Sequence, residues 1–276
     1  MKSMERTTRT MIIAIAFVII ALFAAAANAE ASTEYKTVKS AGAKVLEKIN
    51  AHKGTIKIDF ESSSRDGNAI AKKIFHSAIN QSEIKDYIKY GLYQGYKLTW
   101  TAQGYEGKYH FSFKYKVNYR ITKAEAAAFE TKLTKVVYGM KLQNKGNKAK
   151  IKKIYKWITK NVKYDKKSKG TKKYTAYAAL INKKAVCQGY SVLFYRMCKK
   201  AGVNAKVITG TGNGENHAWN IAKVGKKYYN LDATWDAGRA AKNYKYFLRG
   251  NKAFKHHVRN SEFVSNAFYN AYPMAK

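Results

Sequence analysis

The chain is poor in proline, cysteine and acid. Of its 276 residues one is proline, Pro273, two are cysteine, Cys187 and Cys198, and 17 are Asp or Glu against 53 Lys or Arg. A single proline near the C-terminus excludes collagen and proline-rich linkers. Two cysteines exclude a disulfide scaffold and a multi-cysteine zinc or iron–sulfur protein. The shortage of acid leaves a formal net charge of +36, which calls for an anionic neighbourhood without saying which one. What is present is a foldable chain: 46% of residues are hydrophobic and 14% aromatic, with 22 Tyr. That is too apolar for a disordered basic tail. The length suits one large domain or two small ones, at about 100–200 residues each.

Residues 1–29 have the three parts of a secretory signal peptide. Lys2, Arg6 and Arg9 precede an apolar run from Met11 to Ala27, and Ala27-Asn28-Ala29 supplies a small-x-small cleavage pattern. Cleavage after Ala29 would leave a charge of about +34; an uncleaved anchor is the alternative, at the short edge of what spans a bilayer. The remainder has no second apolar run of that length, so no transmembrane segment is expected after cleavage. In an exported chain two cysteines could pair. Cys187 and Cys198, however, lie eleven apart in a helical pattern, about 16 Å along the axis, too far to bond.

Residues 30–145 read as a small α+β module of unknown role. Glu30–Ser40 looks like a flexible leader, followed by a short helix over 41–50, a strand over 54–60 and a helix over 68–79. Strands over 96–101 and 108–119 form a hairpin closed by Gly104–Gly107. Thr122 caps a helix, with Glu125 completing a capping box. His52, His76 and His110 are isolated and read as surface or core residues.

Asn144–Asn147 is the best linker, and residues 146–276 read as the second domain. Between Lys145 and Lys173, 13 of 29 residues are lysine. Ile151, Ile154, Tyr155, Ile158 and Val162 nevertheless follow helical spacing. Lys148, Lys152, Lys153, Lys156, Lys160 and Lys163 fall mostly on the opposite side. A further helical turn or two covers 174–181. Cys187 opens a helix that runs to Lys200 and closes at Gly202. A strand over 205–209, a mobile glycine-rich loop over 210–214 and a hairpin around Gly225 complete the pattern.

Three segments carry chemistry: Cys187-Gln188-Gly189-Tyr190, His217-Ala218-Trp219 and Leu231-Asp232-Ala233-Thr234. A thiol at a helix N-terminus sits where free N–H groups favour an anion, and the same groups could stabilise an oxyanion. If Gly225-Lys226 is a two-residue hairpin loop, opposed residues sum to 451. His217 and Asp232 are then diagonal neighbours on one face, whereas a slip of one residue would separate them. The carboxylate would hold the imidazole while the other ring nitrogen serves the thiol. Zinc on Cys187, His217 and Asp232 is the alternative within the chemistry. There is no Cys-x-x-Cys, no His-Glu-x-x-His and no ready fourth ligand, and His256 and His257, being adjacent, should point apart. No metal and no cofactor are therefore expected.

These segments together resemble the transglutaminase-like superfamily, whose core is papain-related. The likeness runs from about Lys148 to Asp236. It includes the helix 151–162 with Tyr164-Asp165 after it, and Ala178-Ala179-Leu180 leading to Cys187. It also takes in Ala201–Val207, with Lys206 where many members have Arg, and the His217 and Asp232 segments. The resemblance implies an α+β fold with a nucleophile helix packed on an antiparallel sheet. It implies Cys187 as nucleophile, His217 as general base and acid, and Asp232 as its orienter. The expected function is a secreted cysteine enzyme performing acyl transfer or amide hydrolysis on proteins or peptides at the cell envelope. The alternative is a non-catalytic basic module binding anionic wall polymers through the lysines of 148–163. Export and the absence of RNA- or DNA-binding motifs argue against nucleic acid.

Overall fold

The structure is a computed structural model that describes residues 33–276. The signal-peptide reading of residues 1–29 lies outside the described residues, and none of the described helices is long and apolar enough to cross a membrane.

The first unit is β1 (Glu34–Tyr35), α1 (Val38–Asn50), β2 (Thr55–Ser62), α2 (Gly67–Gln81), β3 (Tyr93–Tyr105), β4 (Lys108–Tyr119) and α3 (Lys123–Gly139). Its sheet has the order β1-β2-β4-β3, antiparallel except for the β1–β2 pair. The period-two pattern of β4 puts Phe111, Phe113, Tyr115 and Val117 in the core. The capping box at Thr122 and Glu125 forms with both of its hydrogen bonds. The segment 33–40 is not a leader: Glu34-Tyr35 pair with Asp59-Phe60, and Thr37 caps a helix that starts at Val38. His110 meets Glu34, His52 donates from Nε2 to the Ile121 carbonyl at 2.8 Å, and His76 is exposed.

The second unit holds α4 (Asn147–Asn161), the paired dipeptides β5 (Lys163–Tyr164) and β6 (Lys184–Ala185), and α5 (Cys187–Lys200). The strands β7 (Ala205–Gly212), β8 (Glu215–Val224), β9 (Lys227–Leu231) and β10 (His257–Arg259) follow, with a short α6 (Asn266–Ala271) near the C-terminus. The sheet order is β10-β7-β8-β9, antiparallel throughout. The helix α5 packs on this sheet, and the Asn220 amide of β8 donates to the Ser191 carbonyl of α5. The fold is thus α+β, with the Cys187 helix on an antiparallel sheet as expected.

The segment 210–214 is not a loop. Gly210 and Gly212 are the last paired residues of β7, and only Asn213-Gly214 turn. Glycine is required at both: a Cβ on Gly210 would fall on the Val258 carbonyl of β10, and one on Gly212 would meet the rings of Trp235 and His217. Between Lys172 and Asn182 the chain makes a tight turn of three residues and a wide π turn over Ala178–Asn182 rather than an α-helix.

One hydrophobic cluster runs through both units, from Ala41 to Ala233. A helical segment of the first unit, residues 85–92, docks on α5. There Asp86 pairs with Lys206 at 3.1 Å and accepts from the Val207 N–H at 2.8 Å. Arg196 of α5 lies over the Tyr87 ring and pairs with Glu130.

Candidate active site

The N-terminus of α5 is shaped by what precedes it. Val186, in extended conformation, is the N-cap and offers no side-chain acceptor. The first-turn N–H groups are thereby left without a side-chain cap. Gly189 lets the preceding segment pass close by, since a Cβ there would crowd Ala185 and the carbonyls of Thr175 and Lys173. The Gln188 amide is drawn aside to the Tyr90 carbonyl of the first unit. Cys187 is half-buried and free, and Cys198 is free and buried. Burial pushes the Cys198 thiol well above its usual range.

The β8–β9 register is the one expected from the turn: Val224 opposes Lys227, and Asn220 opposes Leu231. It carries His217 to Asp232, with Nε2 to Oδ2 at 2.8 Å. The Cys187 thiol lies near enough to the His217 ring to strengthen its hold on a proton. Burial pulls the His217 pKa down, but the hydrogen bond to Asp232 and the nearby Cys187 thiol outweigh it, and the value is pushed up to about 9. Asp232 is fully buried. Burial alone would raise its pKa, yet the two rings donating to it hold it below the usual carboxylate range. Its Oδ1 accepts from the N–H groups of Thr234 and Trp235 at 2.8 and 3.2 Å, a turn that fixes the carboxylate in one orientation. Tyr155 of α4 donates to the Asp232 carbonyl at 2.6 Å and reaches the buried Asp236 carboxylate at 2.7 Å. Asp236 in turn receives the N–H groups of Lys245 and Tyr246.

The three sequence-predicted residues are therefore brought together. A fourth was missed. His257 does not point away from the site: its Nε2 lies 3.1 Å from Asp232 Oδ2, and its side chain is 1% exposed. The strand β10, paired with Gly210–Gly212, carries it there. Trp235 also joins the site, stacked on His217 with ring centroids 5.0 Å apart. The half-exposed Tyr164 stands near Cys187; burial raises its hydroxyl pKa, with the thiol adding to the effect.

Ligating atoms of His217, Asp232 and His257 lie within 4.8 Å of one another. Both rings reach the same oxygen, Asp232 Oδ2. Elsewhere Glu34, Glu61 and His110 also cluster, with Lys108 on Glu61.

Residues 134–233 match the family described as the transglutaminase-like superfamily. Among curated proteins, kyphoscoliosis peptidase of mouse is 32% identical over 104 residues, which cover 32% of this chain and 16% of that protein; the human protein gives the same figures. The match thus spans about a sixth of the length of these relatives. Among solved structures, a TGase is similar with a TM-score of 0.37 and 17% identity, over 77% of this chain and 56% of the other. A candidate cysteine protease from Cytophaga hutchinsonii is similar with a TM-score of 0.34 and 15% identity, over 60% and 69%.

Proposed function

We propose, from the premise that residues 134–233 form a transglutaminase-like domain, that the chain is a cysteine enzyme acting on carboxamide or peptide bonds through a thioester on Cys187. The observation that carries this reading is the convergence of Cys187 and Asp232 on one buried imidazole, at a helix N-terminus without a side-chain cap.

The steps follow from that geometry. Asp232 holds His217 by Nε2, which leaves Nδ1 for the thiol. The proton passes from Sγ to the ring, and Sγ attacks the carbonyl carbon. The first-turn N–H groups of α5 face the developing oxyanion. Collapse breaks the C–N bond, and His217 returns its proton to the leaving amine. An incoming amine or water then gives a proton to His217 and displaces Sγ, forming an amide or an acid and restoring the thiol. Amine gives cross-linking and water gives hydrolysis; which one enters depends on access to the thioester.

The reading extends to location. The signal-like residues 1–29 support export, and the +36 charge supports retention at an anionic envelope. Lys148, Lys152, Lys153, Lys156, Lys160 and Lys163 are all exposed on and beside α4, a suitable face for wall polymers or acidic substrates. A binding module without catalysis is the second reading, favoured by that same face alone.

The test is incubation of the full chain with an amine probe and with peptide amides. Turnover lost in Cys187→Ala supports the assignment. Turnover retained in that variant sinks it.

A further inference from the structure

We infer that His257 is a positioning residue for Asp232, sharing carboxylate oxygen Oδ2 with His217 and limiting how strongly that oxygen holds the His217 ring. The inference rests on the Cys187–His217–Asp232 reading above.

Both imidazoles reach the same oxygen, His217 at 2.8 Å and His257 at 3.1 Å. His257 has no freedom to be elsewhere. Its ring stacks on Phe254 at 4.0 Å, lies 4.3 Å from Trp235, and meets Trp219 and Tyr246 edge-on. Its backbone opposes Gly212 in the sheet. A histidine set among four aromatic rings would be replaceable by Phe if packing were its whole role.

Its hydrogen bonds argue otherwise. An oxygen stands before each ring nitrogen: the Lys255 carbonyl 3.0 Å from Nδ1, and Asp232 Oδ2 3.1 Å from Nε2. If the ring carries one proton, the charged acceptor takes it. If it carries two, both oxygens are served. In either state Asp232 Oδ2 receives an N–H. The ionisable groups facing His257 are Asp232 at the end of β9, His217 on β8 and Tyr246 from the loop beyond.

An oxygen that accepts from two rings holds each less strongly than it would hold one. Removing the His257 donor leaves Oδ2 to His217 alone, and the imidazolium is then held more tightly. The sign is the same if His257 is charged, because losing a neighbouring positive charge also favours the His217 proton.

Iodoacetate, an anionic alkylating agent, reads this without any knowledge of the natural substrate. Its rate at Cys187 in the full chain, followed by peptide mass spectrometry, should fall as His217 loses its proton. His257→Phe is expected to move that upper limb to higher pH by about one unit. His257→Gln, which keeps an N–H donor, should stay near the parent profile. An unmoved limb in His257→Phe, or an equal shift in both variants, overturns the proposal. A measurement on the unsubstituted chain covers the case in which either variant fails to fold. In 15N-histidine NMR, the His257 ring, assigned through its contacts with Phe254 and Trp235, should carry a proton on Nε2; a bare Nε2 contradicts the proposal. The underlying reading fails separately, if iodoacetate ignores Cys187 or reacts at the same rate in His217→Ala.

Discussion

His217 binds its proton more tightly in the folded chain than its ordinary 6.5 would suggest, with a value near 9. Protonation therefore stabilises the fold. That contribution is fully present below about pH 6.5 and is lost as the pH rises through about 9. Asp232→Asn removes the carboxylate that supports the proton, so the upper limb of Cys187 alkylation should move to lower pH, opposite in direction to His257→Phe. A rate profile of the Asn variant that superposes on the parent would show that the carboxylate does not act on the ring. Tyr155→Phe tests the support behind Asp232. The change removes a buried hydroxyl that serves two acceptors. A loss of about 1–3 kcal/mol in denaturant unfolding is expected, with the Cys187 profile shifted little.

At the level of elements, what could be read from sequence was whatever has a local period or a local punctuation mark. Strand β4 alternates cleanly, and its reading and its structure share the bounds 108–119. The helix α5 begins at Cys187 and ends before Gly202, whose positive φ of 71° closes it. Gly225 set the β8–β9 register, and with it the meeting of His217 and Asp232. Strand β10 has neither kind of mark. It is three residues of His-Val-Arg, and its partner in β7 is Gly210-Thr211-Gly212, which by itself reads as a loop. Gly210 is small because β10 lies on it, and Gly212 because the Trp235 and His217 rings do, long-range facts with no local signature. Gly210→Ala tests this: a methyl group against the Val258 carbonyl should separate β10 from β7 and cost about 1–3 kcal/mol in unfolding free energy. It should also disturb the pH profile of Cys187 by moving His257. Stability equal to the parent would show that β10 is not held there.

Across the whole molecule, the sequence suggested a break near Asn144–Asn147, while the packing is continuous from Ala41 to Ala233. Sequence patterns show the faces of elements but not which faces meet. Asp86, 4% exposed in its side chain, faces Lys206 across the two units and also accepts a β7 N–H. Asp86→Ala leaves a mostly buried cation and an unmet N–H, so a loss of about 3 kcal/mol is expected. Thermal unfolding of the full chain should be one transition; two well-separated transitions would contradict the shared core. The charge is also a property of the whole. Reversing Lys148, Lys152 and Lys156 to Glu should weaken and flatten the salt-dependent binding of an anionic wall polymer while leaving Cys187 alkylation unchanged.

The central claim is that Cys187 is activated by His217 and Asp232, and selective alkylation tests it most directly. At pH 7, iodoacetamide followed by peptide mass spectrometry should label Cys187 rapidly and leave the buried Cys198 untouched, with labelling slowed about 100-fold in His217→Ala. Equal labelling of both thiols, or a Cys187 rate indifferent to His217→Ala, would contradict it.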